Sequence, residues 1–224
     1  MKRKMLLVVL WSLSQSLSAA DIILDDFSKG HIYQMSVKCG TEDKTVRAEV
    51  PGKHRWVRLQ VNKPPECKEG NPFAQSVSAN VQSGLPLIVN NGYNVHSRTE
   101  IHYGRTNEDQ KHPMNLDLTA GTGSPFYLEA VFTGAASGLN LNVGIFAKNG
   151  PKRASCGVNV PPNKKGFSVV FPLDKFRMEN EMQLIDYQDT DFVSFIVQTT
   201  DGNFGISQLK FTAQPAVSAI KADC

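Results

Sequence analysis

Arg55-Trp56-Val57-Arg58-Leu59-Gln60-Val61 is the stretch on which the fold turns. Val57, Leu59 and Val61 take every second position, with Trp56, Arg58 and Gln60 between them. A period of two belongs to a strand with one dry and one wet face. The same beat recurs along the chain. Leu139, Leu141, Val143 and Ile145 alternate with Asn140, Asn142 and Gly144, and Phe126, Leu128, Ala130 and Phe132 share one side. Val95, Ser97, Thr99, Ile101 and Tyr103 alternate with His96, Arg98, Glu100 and His102.

Turn residues punctuate these runs. Asn91-Gly92, Asn149-Gly150 and Asp201-Gly202 tolerate the positive φ of tight turns, while Pro64-Pro65 and Pro161-Pro162 end strands because proline cannot donate to a ladder. Asp201-Gly202 predicts that Asp191–Thr199 and Asn203–Thr212 form a hairpin. Only Leu173–Leu184 has a helical look. About ten to twelve strands without βαβ alternation predict an all-β fold, a two-sheet antiparallel β-sandwich of jelly-roll type. No repeat or composition break divides the 224 residues, so one domain is expected over 21–212, with a short tail at 213–224.

Residues 1–20 are set aside from the fold. Lys2, Arg3 and Lys4 precede a short apolar run from Met5 to Leu13, and Ser18-Ala19-Ala20 offers the small residues a signal peptidase reads. That run is about half the ~20 residues that span a bilayer, so it predicts a cleaved signal peptide and a secreted or periplasmic protein. No later segment reads as a membrane span. Without the leader, 21 basic residues face 21 acidic ones, and a neutral chain has no electrostatic footprint for nucleic acid. In an exported chain, the even cysteine count (Cys39, Cys67, Cys156 and Cys224) favours disulfides over a zinc site, with three connectivities open. Sequence proximity prefers Cys39 with Cys67 and Cys156 with Cys224.

Several phrases carry a family likeness as a set: Asp25-Asp26-Phe27-Ser28 after the leader, Ser97 to Gly104 mid-chain, Leu116 to Gly121, Val170-Phe171-Pro172-Leu173, and the closing Asp191–Thr212 pair. In this order the chain resembles uncharacterised exported bacterial jelly-roll proteins, many of which carry a PEP-CTERM sorting tail, and more distantly carbohydrate-binding-module-like jelly rolls. Residues 213–224 lack such a tail. The resemblance to carbohydrate-binding jelly rolls implies a structural calcium between the first and last strands, for which Asp25 and Asp26 are the candidates; no other cofactor is implied. The last strand offers Ser207 and Gln208 where a carboxylate would be needed.

Two features suggest chemistry. His96, Arg98, Glu100 and His102 share one strand face, as ligand-binding, metal-binding or acid–base groups, or as a solvated ion-pair ladder. Trp56, outward beside Arg58, would stack on a sugar ring while polar neighbours read hydroxyls, with Tyr93 and Tyr127 as possible additions. There is no GxSxG elbow or phosphate loop, and the pairs Glu179/Glu181 and Asp189/Asp191 read as solvated loop charge. The expectation is a secreted, non-catalytic module binding a glycan or cell-envelope polymer through Trp56, Arg58, His96, Arg98, Glu100 and His102. The competing readings are a structural or matrix protein with a protein partner, and a polysaccharide lyase or hydrolase on the same fold.

Overall fold

The computed structural model describes residues 21–30, 32–61, 77–81, 86–92, 95–119, 126–147, 153–178 and 187–224. The expected leader, Pro64-Pro65, Cys67, Tyr93, the Asn149-Gly150 turn and the Glu179/Glu181 pair lie outside them. Fifteen strands are described: β1 (Ile22–Asp25), β2 (Ile32–Val37), β3 (Gly40–Arg47), β4 (His54–Val61), β5 (Val77–Val81), β6 (Leu87–Asn91), β7 (Ser97–Tyr103), β8 (Tyr127–Ala135), β9 (Leu139–Ala147), β10 (Arg153–Val160), β11 (Lys164–Pro172), β12 (Arg177–Met178), β13 (Thr190–Thr199), β14 (Asn203–Thr212) and β15 (Ile220–Lys221).

They form two sheets. One runs β15-β11-β8-β14-β6-β5-β2, with β1 also on β14; the other runs β12-β10-β9-β13-β7-β4-β3. Every pairing is antiparallel except β11 with β15. Successive strands cross repeatedly from one sheet to the other, as in a jelly roll. Arg55–Val61 lies in β4 with the predicted alternation: Val57 and Leu59 are fully buried in the inter-sheet core. Phe195 of the second sheet meets Phe132 and Phe171 of the first, at ring separations of 6.4 and 6.2 Å. Each such fully buried large apolar side chain contributes about 1.5–3 kcal/mol, so the filling between the sheets dominates stability.

Three expectations need correction. β13 and β14 are not a hairpin. β13 lies between β9 and β7 in one sheet and β14 between β8 and β6 in the other, so Thr200–Gly202 arches across the core. Turn residues specify a reversal of direction but not its plane, and both strands satisfy more ladder bonds in the middle of separate sheets. The helical look of Leu173–Leu184 reduces to a 3-10 turn at Leu173–Lys175 followed by β12; the remainder lies outside the described residues. The tail is part of the sandwich. β15 extends the first sheet, the Ala222 amide donates to the Val170 carbonyl at 2.9 Å, and Cys224 is bonded to Cys156. The preferred Cys156–Cys224 pairing is therefore present. Cys39 is also disulfide-bonded.

Asp25 and Asp26 do not fit a calcium site. Asp25 ends β1 and Asp26 lies beyond it, and the two carboxylates have separate partners. Asp25 is 2% exposed and takes the Arg55 Nε and Nη2 donors at 2.5 Å each, the Tyr103 hydroxyl at 2.7 Å and the Phe27 amide at 2.8 Å. The guanidinium already supplies the positive charge a cation would bring. Asp26 is exposed and caps the Ser28 amide and hydroxyl. Among the described residues no three His, Cys, Asp or Glu side chains group as metal ligands.

Candidate functional site

The outer face of the second sheet collects the polar steps of its strands, and strand register turns them into rows. Gln60 of β4 pairs with Arg98 of β7, Arg98 with Gln198 of β13, Gln198 with Asn140 of β9, and Asn140 with Asn159 of β10. Thr41 of β3 opposes Gln60 and lengthens the row. At ~4.8 Å per strand the six positions span roughly 24 Å, at right angles to the chain direction. Two residues further along, Asp43, Arg58, Glu100, Ile196, Asn142 and Gly157 make a second row; Thr45, Trp56, His102, Ser194, Gly144 and Ser155 make a third.

The third row is roofed. The segment after β7 folds back over it: Thr45 donates its hydroxyl hydrogen bond to the Thr106 carbonyl, and Glu108 accepts from Arg58 Nη1 at 2.5 Å. Arg105 lies 3.7 Å above the Phe192 ring. Beneath it His102 is stacked between Trp56 and Phe192, at ring separations of 4.4 and 5.6 Å. Trp56 faces away from the inter-sheet core as its alternation predicts, but it is only 2% exposed. Its Nε1 donates to Asp43, and the Arg58 guanidinium sits 4.8 Å from its ring. This corrects the expectation of an open indole. A large flat ring on a wet face is stabilised by any cation and loop that can cover it. Tyr127 lies in the other sheet and adds nothing to this face.

The predicted site residues divide accordingly. Glu100 and His102 are together, with Glu100 Oε2 2.8 Å from His102 Nε2 and Glu100 Oε1 accepting from Arg98 Nε at 2.8 Å, but both are buried and cannot read a ligand directly. Arg58 is half-buried and held by Asp43 and Glu108. Arg98, at the rim of that cluster, and His96, exposed just before β7, remain accessible. His96 borders a hollow of about 450 Å3 at the end of the first row, lined also by Asn140, Asn159, Gln198, Thr199 and Thr200. Asn140 Nδ2 donates to Asn159 Oδ1 at 2.8 Å, and Gln60 and Gln198 have no side-chain hydrogen bond to another described residue. These amides were visible only as polar steps of separate strands. Their alignment depends on long-range register, which no local pattern encodes.

The buried pair makes stability acid-sensitive. Burial holds the His102 imidazole below its ordinary 6.5 even though Glu100 pulls it upward. Burial would raise Glu100, but the His102 hydrogen bond and charge, with Arg98, hold it at about 2. The unfolded chain therefore protonates first at both groups. Stability is expected to fall as pH drops below about 6.5, where His102 begins to charge in the unfolded chain. A further loss of about 3 kcal/mol is expected between about 4.5 and 2 as the Glu100 contribution disappears. Urea unfolding across this range, repeated with Glu100→Gln, checks the assignment: a variant with the same slope below pH 4.5 refutes it.

No family model matches the chain, and no curated protein sequence matches it. Among solved structures it is similar to the family 11 carbohydrate-binding module of the cellulosomal cellulase Lic26A-Cel5E of Clostridium thermocellum. That match has 11% identity and a TM-score of 0.42, and covers 88% of this chain and 96% of the other. The family 11 module from Clostridium thermocellum in complex with a beta-1,3-1,4-mixed-linked tetrasaccharide is similar at 12% identity and a TM-score of 0.38, over 91% and 99% of the two chains. An exo-beta-agarase shares 9% identity at a TM-score of 0.38, over 88% of this chain and 25% of its own. The jelly-roll class of this protein rests on its own strand pairing.

Proposed function

We propose that this chain is an exported, non-catalytic module that binds a neutral polysaccharide along the row Gln60–Arg98–Gln198–Asn140–Asn159 and in the hollow beside His96. The row is the observation that carries this reading. It is an accessible ladder of amides around one guanidinium, without an acidic side chain, and amides both donate to and accept from sugar hydroxyls. A linear polymer lying across the strands meets a fresh hydrogen-bonding side chain at each step. No carboxylate lines the hollow among the described residues, whereas a glycosidase needs two facing one cleft. That favours binding over hydrolysis. Kinship with the PEP-CTERM-type exported jelly rolls and the cleaved leader belong to the same proposal.

Affinity electrophoresis and calorimetry against neutral cell-wall and envelope polysaccharides test it. Arg98→Ala and Gln198→Ala are each expected to weaken binding about tenfold, the equivalent of one or two lost hydrogen bonds. Failure of every polymer to bind, or binding indifferent to both substitutions, rejects the site.

A further inference from the structure

We propose that the opposite sheet carries a second site, for an anionic sugar. On its outer face Gly134 of β8 pairs with Gly205 of β14, Lys165 of β11 opposes Gly134, and Ile88 of β6 opposes Gly205. Two neighbouring strands thus lack side chains at the same level, and a hollow of about 490 Å3 lies over them. Glycine weakens a strand interior, and its presence there often marks the close approach of a ligand or another backbone. At Gly205 the protein itself gives the reason, because a Cβ would collide with Thr133. Gly134 is less constrained: its φ lies outside the left-handed region, but a Cβ there would sit 3.3 Å from the Lys164 carbonyl oxygen, a tight approach to backbone.

The chemistry of the rim selects the ligand. Lys164 and Lys165 border the hollow, no Asp or Glu does so among the described residues, and neither lysine has an ion-pair partner there. Asn90 and Asn203, directly paired across β6 and β14, close one end with uncommitted amides. Half-buried Ile88 offers an apolar patch to the C–H face of a ring. Lys165 at the level of Gly134 with Lys164 beside it at the rim, two amides and one apolar patch, around a floor bare at Gly134 and bearing Thr133 beside Gly205, suit a saccharide bearing a carboxylate or sulfate. A neutral polymer would leave both ammonium groups unmatched. This site is separate from the amide row on the other sheet and does not depend on it.

The test is NMR titration of the full chain with a uronate oligosaccharide, a sulfated oligosaccharide and the neutral parent of each, at low and high salt. At least one acidic oligosaccharide should shift the β8, β11 and β14 amides, with affinity falling as salt screens the lysines. Lys164→Ala with Lys165→Ala should weaken it about tenfold, as two charge-assisted contacts are lost. Gly134→Leu, which fills the floor, should do the same; the lysine pair, both exposed, keeps the test valid if that variant unfolds. The carboxylate and sulfate arms identify which anion is read. Acidic sugars that bind no better than their neutral parents, or binding that survives the lysine substitutions, overturn the proposal. Gln198→Ala should leave this binding intact, which separates its failure from failure of the amide-row reading.

Discussion

Asp25→Ala is expected to destabilise the protein by about 3–5 kcal/mol, because it strands a buried guanidinium. Arg55 is fully buried, on the core side of β4, and its partners are fixed: both oxygens of Asp25, the Gly30 carbonyl at 3.2 Å and the Lys29 carbonyl at 3.1 Å. Its charge also lies 4.9 Å from the Phe27 ring. Removing the carboxylate leaves the arginine without a counter-charge where water cannot reach it, and leaves the Tyr103 hydroxyl without its acceptor. Burial has already pushed Tyr103 well above its usual range. Removing both charges should cost less than removing either alone, so Asp25→Ala with Arg55→Met should recover much of the loss. Urea unfolding of the two single variants and the double variant gives the coupling directly. A loss below about 1 kcal/mol for Asp25→Ala would show that the pair does not carry this end of the sandwich.

The second large effect is expected at the Cys156–Cys224 bond, which closes a span of 68 residues. Constraint of the unfolded chain by a loop of that length is worth about 4 kcal/mol. The bond also joins the two layers. Cys156 projects into the core from β10, whereas Cys224 follows β15 at the edge of the other sheet. Replacing Cys156 by Ala together with Cys224 by Ser avoids leaving a reactive thiol and should lower the unfolding free energy by most of that amount. Release of β15 from β11 should follow, read as faster amide exchange at Ile220–Ala222. Slow exchange there in the double variant would mean that the strand pairing alone holds the terminus.

How much of the candidate site was legible depended on the range of the interaction. The alternation in Arg55–Val61 correctly put Trp56 and Arg58 on the face away from the core, and that in Val95–Tyr103 grouped Arg98, Glu100 and His102. Neither pattern could say that the segment after Tyr103 would fold over Trp56 and His102. That covering depends on Arg105, Thr106 and Glu108 reaching other strands. The same alternation places Arg55 on the dry face. Its burial is intelligible only once Asp25, 30 positions away, is seen beneath it.

By itself, then, the sequence determined the two-layered β character and the dry and wet sides of the strands in which the alternation is unbroken. These follow from steric and hydrophobic preferences acting over a few residues. The tertiary structure alone decided which sheet each strand joined, that Thr200–Gly202 arches rather than forms a hairpin, and that Gln60, Arg98, Gln198, Asn140 and Asn159 fall in one row. Those outcomes depend on pairing register and on contacts between distant segments, where the free energy comes from the whole assembled core and no local stretch contains it.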